Sequence, residues 1–254
     1  MNGWRALALI AAAALPAARC APAASVEVDF LIPGVSLESV DFRPGTSVTY
    51  LIVSEAHGVR DSSLVTLAVE SADSLGVGLR VVSSPHPFDQ SESVAVHLTL
   101  CPGVRGVLTP DEFYACIGDI LVRDGTGPMR EPSIEEIEGF DIDRLFLRRR
   151  EGLQREQRSP ETVVVPAGEF SCEVWEYFRS ERRPVEMGGI EALRIEEERS
   201  ILRICPDVPF WGLVSSRVER SSSTAHDGGD RAWSMRPRVT VTESILLEFR
   251  TPAD

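Results

Sequence analysis

The amino-acid sequence predicts a mainly β protein of the α+β class, an antiparallel sheet with one helical insert. Runs of β-branched and aromatic residues recur along the chain and are typical of strands. Residues 94–100 alternate between apolar and polar side chains, as expected for an antiparallel strand with one face in water. Only one segment, at about 131–152, is assigned as a helix, so we expect strands to dominate.

The first 23 residues have the features of a signal peptide. Residues 1–5 contain one Arg, an apolar stretch follows, and residues 21–23 form an Ala-Pro-Ala cleavage site. We therefore expect an exported protein, periplasmic or extracellular, that matures after residue 23. The alternative is lipidation of Cys20, which would anchor the protein to a membrane, but Arg19 stands where a lipoprotein signal has a small residue.

The charge balance excludes several function classes. All 26 basic residues are Arg, and two of them lie in residues 1–23, so the mature chain has 24 basic and 39 acidic residues and a net charge of −15. Such a surface disfavours nucleic acid and anionic membranes as partners. Because the chain contains no lysine, Schiff-base catalysis, P-loop nucleotide binding and Ser-Lys hydrolysis are excluded.

Residues 24–254 are predicted to form a single β-rich domain. Strands are predicted at 47–53, 64–70, 79–82, 94–100, 162–177, 200–205 and 238–250. In the last of these, the apolar residues at 239, 241, 245, 247 and 249 are expected to share one face. The polar segment 154–160 is interpreted as a linker, 179–189 as a charged turn and 215–230 as a mobile loop, while 190–199 fits either a strand or a short helix.

The helical insert begins with a capping-box pattern. Ser133 and Glu136 have the spacing at which the two side chains cap the first turn of a helix. Asp141 is placed to cap a second helical run, which Gly152 ends. We therefore expect the helix at about 131–152.

Four cysteines remain once the leader is removed, which suggests two disulfides in an exported protein. Three pairings of Cys101, Cys116, Cys172 and Cys205 are possible. We favour Cys101–Cys116 with Cys172–Cys205, because each pair lies on neighbouring predicted strands.

Aromatic residues provide the candidate binding site. Trp175 and Tyr177 lie on the strand face opposite Phe170 and Val174, and Phe210 and Trp211 end the next strand. If both faces of this hairpin are apolar, one face can pack on the core while Trp175, Tyr177, Phe210 and Trp211 line a ligand groove or a partner surface. The alternative is that a helix or loop covers the second face.

No catalytic residue, metal site or cofactor is predicted. The four histidines, His57, His86, His97 and His226, have no metal-ligand spacing among themselves. The acidic clusters at 135–143, 196–198 and 227–230 are interpreted as a helix start, a solvated face and a loop. No Gly-x-Ser-x-Gly motif is present.

Three segments carry a resemblance to a known group. Val-Pro-Ala-Gly-Glu-Phe-Ser-Cys (165–172), Pro-Asp-Val-Pro-Phe-Trp-Gly-Leu-Val (206–214) and the run at 42–50 resemble exported bacterial proteins similar to the lipoprotein-carrier (LolA/LppX-like) superfamily. The resemblance implies a strongly curved antiparallel sheet, an incomplete barrel whose concave face takes acyl chains. This sequence departs from the carriers in having one helix and in Cys205, and no functional residue is carried over.

The sequence therefore predicts an exported, non-enzymatic binding module that holds a lipid or other apolar ligand on the concave face of its sheet. One alternative is a structural component of the bacterial envelope that binds another envelope protein. A further alternative is an exported hydrolase, in which histidine and carboxylate groups would converge in a pocket.

Overall fold

A computed structural model describes residues 42–87, 93–101, 117–133, 154–210, 212–226 and 233–252, and this part of the chain consists of β-strands and their connections. The strands are β1 (Ser47–Ala56), β2 (Val59–Asp73), β3 (Gly76–Pro85), β4 (Val94–Leu100), β5 (Ile117–Asp124), β6 (Gln154–Val165), β7 (Gly168–Met187), β8 (Ile190–Ile204), β9 (Leu213–His226), β10 (Trp233–Ser234) and β11 (Arg238–Arg250). From residue 134 onward the predicted helix lies outside the described residues. The described residues contain no helix with the length and apolar character needed to span a membrane.

Ten of the strands lie side by side in one antiparallel sheet, in the order β5-β4-β3-β2-β1-β11-β9-β8-β7-β6, and β10 pairs with β9. The order consists of two runs of consecutive strands, β1–β5 and β6–β9, with β11 between them. The two ends of the path, β5 and β6, do not pair with each other within the described residues, so the sheet is open. The prediction of a mainly antiparallel β fold is confirmed.

The sheet is curved between β11 and β7. The rings of Phe249 on β11 and Phe170 on β7 lie 6.1 Å apart, centroid to centroid. Since β9 and β8 lie between these strands, a flat sheet would separate their backbones by roughly 14 Å, at about 4.8 Å per strand. The contact therefore requires the sheet to bend and bring β7 toward β11.

Three predictions of irregular structure were wrong. Residues 154–160 belong to β6, residues 179–187 continue β7, and residues 215–226 form most of β9. These strands lack a continuous apolar face, and ion pairs between neighbouring strands take its place. Examples of these pairs are Arg158–Glu176, Arg183–Glu196 and Arg217–Glu243.

The buried side of β11 is also different from the predicted one. Thr242, Ser244 and Leu246 are buried, whereas Val239 is 40 % exposed. Burial of a hydroxyl is tolerated because it can hydrogen-bond to a neighbouring strand; Thr242 Oγ1 lies 3.2 Å from Ser54 Oγ on β1.

The apolar core joins the two runs of strands. Tyr50 on β1 is 2 % exposed, and its hydroxyl donates a hydrogen bond of 2.9 Å to the carbonyl oxygen of Leu213, the first residue of β9. Because β11 lies between β1 and β9, this bond spans the central strand. Burial raises the pKa of Tyr50 above its usual range, so the phenol stays neutral and remains a donor.

Replacing Tyr50 by Phe should destabilise the protein by about 1–2 kcal/mol, because the buried Leu213 carbonyl loses its partner. Urea unfolding followed by circular dichroism measures the change. Thr66→Val is a suitable control, since it removes a half-buried hydroxyl that contacts Thr49 at 3.1 Å on the other side of the sheet and should cost less. Equal stability of Tyr50→Phe and the natural protein would contradict this role of the phenol.

Cys172 and Cys205 occupy facing positions. Glu173 and Ile204 are register partners of β7 and β8, so Cys172 and Cys205 come next at the end of the ladder. Both are buried and both are free thiols in the structure, so the predicted disulfide is not formed there. Facing residues of antiparallel strands have Cβ atoms about 4.5–5.5 Å apart, close to the distance within a disulfide. Burial, followed by the nearby Cys205 and Glu161, raises the pKa of Cys172 to about 11, so the reactive thiolate is scarce at neutral pH. The other predicted pair includes Cys116, which lies outside the described residues.

We expect a Cys172–Cys205 disulfide in protein purified from an oxidising compartment. Peptide mapping by mass spectrometry without reduction should recover the two cysteines in one linked pair of peptides. Cys205→Ser should lower the melting temperature of the oxidised protein. After reduction, the melting temperatures of the variant and the natural protein should differ less. Recovery of both thiols fully alkylated from the unreduced, denatured protein would contradict the pairing.

Candidate functional site

One face of the sheet changes from apolar to charged along its strands. We call the side that carries Tyr50, Val65 and Leu246 the core face. These three residues are paired across β2, β1 and β11 and are each at most 2 % exposed. Since side chains alternate between the two faces of a strand, every second residue from this row lies on the same face.

The next rows of the core face carry hydroxyl groups. Ser244 on β11 pairs with Ser216 on β9, and one step further along the strands Thr242 pairs with Val218, which in turn pairs with Ser200 on β8. All five side chains are buried. The core face therefore becomes polar while it is still covered by protein.

Charged residues form the two rows that follow. The first row crosses β11, β9, β8 and β7 in the order Thr240, Arg220, Glu198, Arg179, and the second in the order Arg238, Ser222, Glu196, Glu181. Together with neighbouring groups these eight residues line a cavity of about 360 Å³, which we call the charged cavity. Its volume is at the lower end of the range for small-molecule sites.

Ion pairs organise the walls of the charged cavity. Arg220 Nε donates to Glu198 Oε2 at 3.0 Å, and the two side chains are only 23 % and 13 % exposed. Arg179 Nη2 donates to Glu181 Oε2 at 2.5 Å. The Nε atom of Arg179 is buried and has no hydrogen-bond partner among the described residues, so its pairing with Glu181 does not use all of its donors.

His57 reaches the charged cavity from the other half of the chain. It lies in the two-residue turn between β1 and β2, where it adopts a φ of 55° and is followed by Gly58 at 76°. Positive φ at both central residues is typical of a tight β-hairpin. The turn follows Ala56, which pairs with Thr240 of the cavity wall.

Two of the four predicted binding residues lie beside the charged cavity on the core face. Trp175 and Tyr177 precede Arg179 on β7 by four and two residues; Trp175 is half-buried and Tyr177 is 3 % exposed. The guanidinium carbon of Arg155, on the edge strand β6, lies 3.6 Å from the Trp175 ring centroid and 5.9 Å from that of Tyr177. This cation–π stack leaves Trp175 partly accessible.

Phe210 lies in the turn after β8, away from the charged cavity. It is 4 % exposed and belongs to the apolar core cluster that also contains Tyr50 and Leu246. Its φ of 63° is unusual for a bulky residue and costs of the order of 1–3 kcal/mol. Gly212 closes the turn, since a Cβ there would lie 2.6 Å from the Cys205 carbonyl oxygen. Trp211, the fourth predicted residue, lies outside the described part of the chain.

The remaining histidines lie away from the charged cavity. On the opposite face His97 Nδ1 lies 2.8 Å from Glu70, which also pairs with Arg80 at 3.5 Å. His226 Nδ1 contacts the Glu191 carbonyl oxygen. Within the described ranges, no group of three or more His, Cys, Asp or Glu side chains is arranged to hold a metal ion.

The opposite face of β7–β9 has exposed ion pairs. Glu176 is contacted by both Arg199 and Arg158. Partial burial of the carboxylate raises its pKa, but the hydrogen bonds from the two Arg side chains outweigh that effect and hold it below its usual range. Arg217 and Glu243 form a similar pair at 2.5 Å between β9 and β11.

The charged cavity was not predicted from the sequence. Its charged residues belong to four segments that were interpreted separately: the charged turn, the solvated face, the mobile loop and, for Arg238, the last predicted strand. One signal could have found it: Gly188-Gly189 between Met187 and Ile190 is a two-residue hairpin turn. That turn brings Arg179 opposite Glu198 and Glu181 opposite Glu196.

Comparisons with known proteins give only distant matches. No protein-family model matches the chain, and no curated protein matches it significantly. An exported protein with a YmcC-like fold from Bacteroides fragilis is 11 % identical with a TM-score of 0.35, and the match covers 82 % of this chain and 97 % of that one. A lipoprotein from Parabacteroides distasonis is 14 % identical with a TM-score of 0.35, over 83 % and 99 % of the two chains.

A third match is an outer membrane lipoprotein-sorting protein domain from Vibrio parahaemolyticus, 9 % identical with a TM-score of 0.26 over 82 % of this chain and 85 % of that one. The functional assignments of all three proteins are provisional.

Proposed function

We propose that this chain is an exported, non-enzymatic binding module that holds a lipid or another amphiphile along the core face of its sheet. The observation that carries the proposal is the gradient on that face. It runs from buried apolar residues through a band of buried hydroxyls to the charged cavity. An amphiphile has the same sequence of polarities along its length.

Trp175 is the aromatic residue best placed to contact such a ligand. It lies between the buried Leu202, its register partner on β8, and the edge strand β6, and it stays half-buried under Arg155. Aromatic side chains with one apolar face and one polar neighbour are favoured at binding surfaces. The apolar part of the ligand would lie here, with its polar end toward Arg179.

The turn that contains Phe210 is a suitable cover for the apolar part of the site. Phe210 and Val208 belong to the same core cluster as Tyr50, so an acyl chain could enter that cluster when the turn moves outward. The unfavourable φ of Phe210 lowers the cost of such a movement, because the strain is released when the turn opens.

Export is supported by the leader sequence. Residues 1–23 have the charged start, the apolar stretch and the Ala-Pro-Ala site of a cleaved signal peptide. A site for lipids or other amphiphiles is useful in the envelope, where such molecules must cross an aqueous space.

Binding can be measured with the mature protein and the neutral apolar fluorophore N-phenyl-1-naphthylamine, together with native mass spectrometry of protein purified without detergent. Saturable binding is expected. Trp175→Ala should weaken it about fivefold or more, because an aromatic contact contributes of the order of 1 kcal/mol.

Phe178→Ala is the matched control, since Phe178 lies on the same strand but on the opposite face and is 39 % exposed. It should leave the affinity unchanged. Absence of bound lipid in the mass spectrum together with no saturable probe binding would exclude the proposed function.

A further inference from the structure

The charged cavity contains nearly balanced charge. Three guanidinium groups lie on the cavity face, from Arg179, Arg220 and Arg238, and three carboxylates, from Glu181, Glu196 and Glu198. Glu196 also pairs with Arg183, outside the cavity, at 2.7 Å. A cavity with this balance has no net field that would concentrate either an anion or a cation.

Donors and acceptors alternate in the walls. Across the first charged row, Arg220 lies between Thr240 and Glu198, and Glu198 lies between Arg220 and Arg179. A guanidinium can only donate hydrogen bonds, and a carboxylate can only accept them. A ligand that contacts adjacent strands must therefore accept from one side chain and donate to the next.

A hydroxyl group meets this requirement, because the same oxygen atom can accept one hydrogen bond and donate another. A phosphate or carboxylate oxygen could accept from Arg220 but would repel Glu198. An ammonium group could donate to Glu198 but would repel Arg220 and Arg179. A group with several neighbouring hydroxyls can engage the whole row.

The spacing of the wall suits a polyol of sugar size. Adjacent strands are about 4.8 Å apart, and successive residues on one face of a strand are about 6.7 Å apart. The eight residues of the two rows therefore form a grid on which hydroxyls of one or two sugar rings can reach several side chains. The unpartnered Nε of Arg179 and the hydroxyls of Ser222 and Thr240 add further capacity.

We infer that the charged cavity binds a neutral polyol, either a free saccharide or the sugar or glycerol headgroup of an amphiphile. The inference rests on the proposed function only where it assigns that polyol to the head of a bound amphiphile. The identity of the polar group follows from the cavity alone.

The test compares four probes by isothermal titration calorimetry below their micellar concentrations. Maltose and dodecyl maltoside carry the same neutral sugar without and with an acyl-length chain. Dodecyl phosphate and dodecylamine carry the same chain with an anionic and a cationic head. Dodecyl maltoside should bind at least about tenfold more tightly than either charged amphiphile, since their heads leave charged groups of the wall unpaired.

The double variant Arg220→Gln/Glu198→Gln should weaken dodecyl maltoside binding about tenfold, because charged groups form the stronger hydrogen bonds. Arg217→Gln/Glu243→Gln is the matched control: it changes the same kinds of residue in an ion pair of the opposite face and should leave binding unchanged. If the first double variant does not fold, Ser222→Ala/Thr240→Val removes two cavity hydroxyls without altering an ion pair and should also weaken binding.

The outcomes separate the two proposals. Equal binding of maltose and dodecyl maltoside supports the polyol site and contradicts an amphiphile site. Tighter binding of dodecyl phosphate or dodecylamine, sensitive to the cavity variants, overturns the polyol inference and leaves the proposed function standing. No binding of any probe, or binding that the cavity variants do not change, overturns the polyol inference, and complete absence of binding also contradicts the proposed function.

Discussion

The pairing of β1 with β11 is the constraint on which the rest of the sheet depends. Strands β1–β5 and β6–β9 each pair in chain order, and β11 is the strand that joins the two groups. The joining contacts are among the most buried in the molecule, since Leu246 and its partner Tyr50 are 0 % and 2 % exposed. Closing so large a loop costs chain entropy, which only the subsequent burial of the core offsets.

The same pairing sets the position of the charged cavity. Thr240 and Arg238 of β11 form one wall, and His57, in the turn after β1, is held nearby because Ala56 pairs with Thr240. The hydrogen bond from Tyr50 to Leu213 fixes β9 relative to β1 across the central strand. The cavity therefore depends on contacts between parts of the chain that are far apart in sequence.

Local pattern explains which strands could be predicted. Residues 47–53, 64–70 and 94–100 are strands in the structure as expected, because each has the β-branched composition or the two-residue period of a half-buried strand. Residues 154–160 of β6, the end of β7 and most of β9 were not predicted as strands, because charged residues on neighbouring strands pair with each other and a strand of this kind has no local apolar signal. The cavity was missed for a related reason: its residues come from four strands, and only the register brings Arg220, Glu198 and Arg179 into one row. Trp175 and Tyr177 could be proposed from the sequence because aromatic residues are conspicuous within a single strand.

The position of β11 has a consequence for biosynthesis. This strand is made after every other strand that the structure describes, yet it lies at the centre of the sheet. Until β11 has been synthesised, β1 and β9 each have an edge with unpaired backbone N–H and C=O groups, and such edges promote aggregation. A polypeptide with this order of strands cannot complete its sheet until β11 has been synthesised, so its two groups of strands stay unjoined until late in translation.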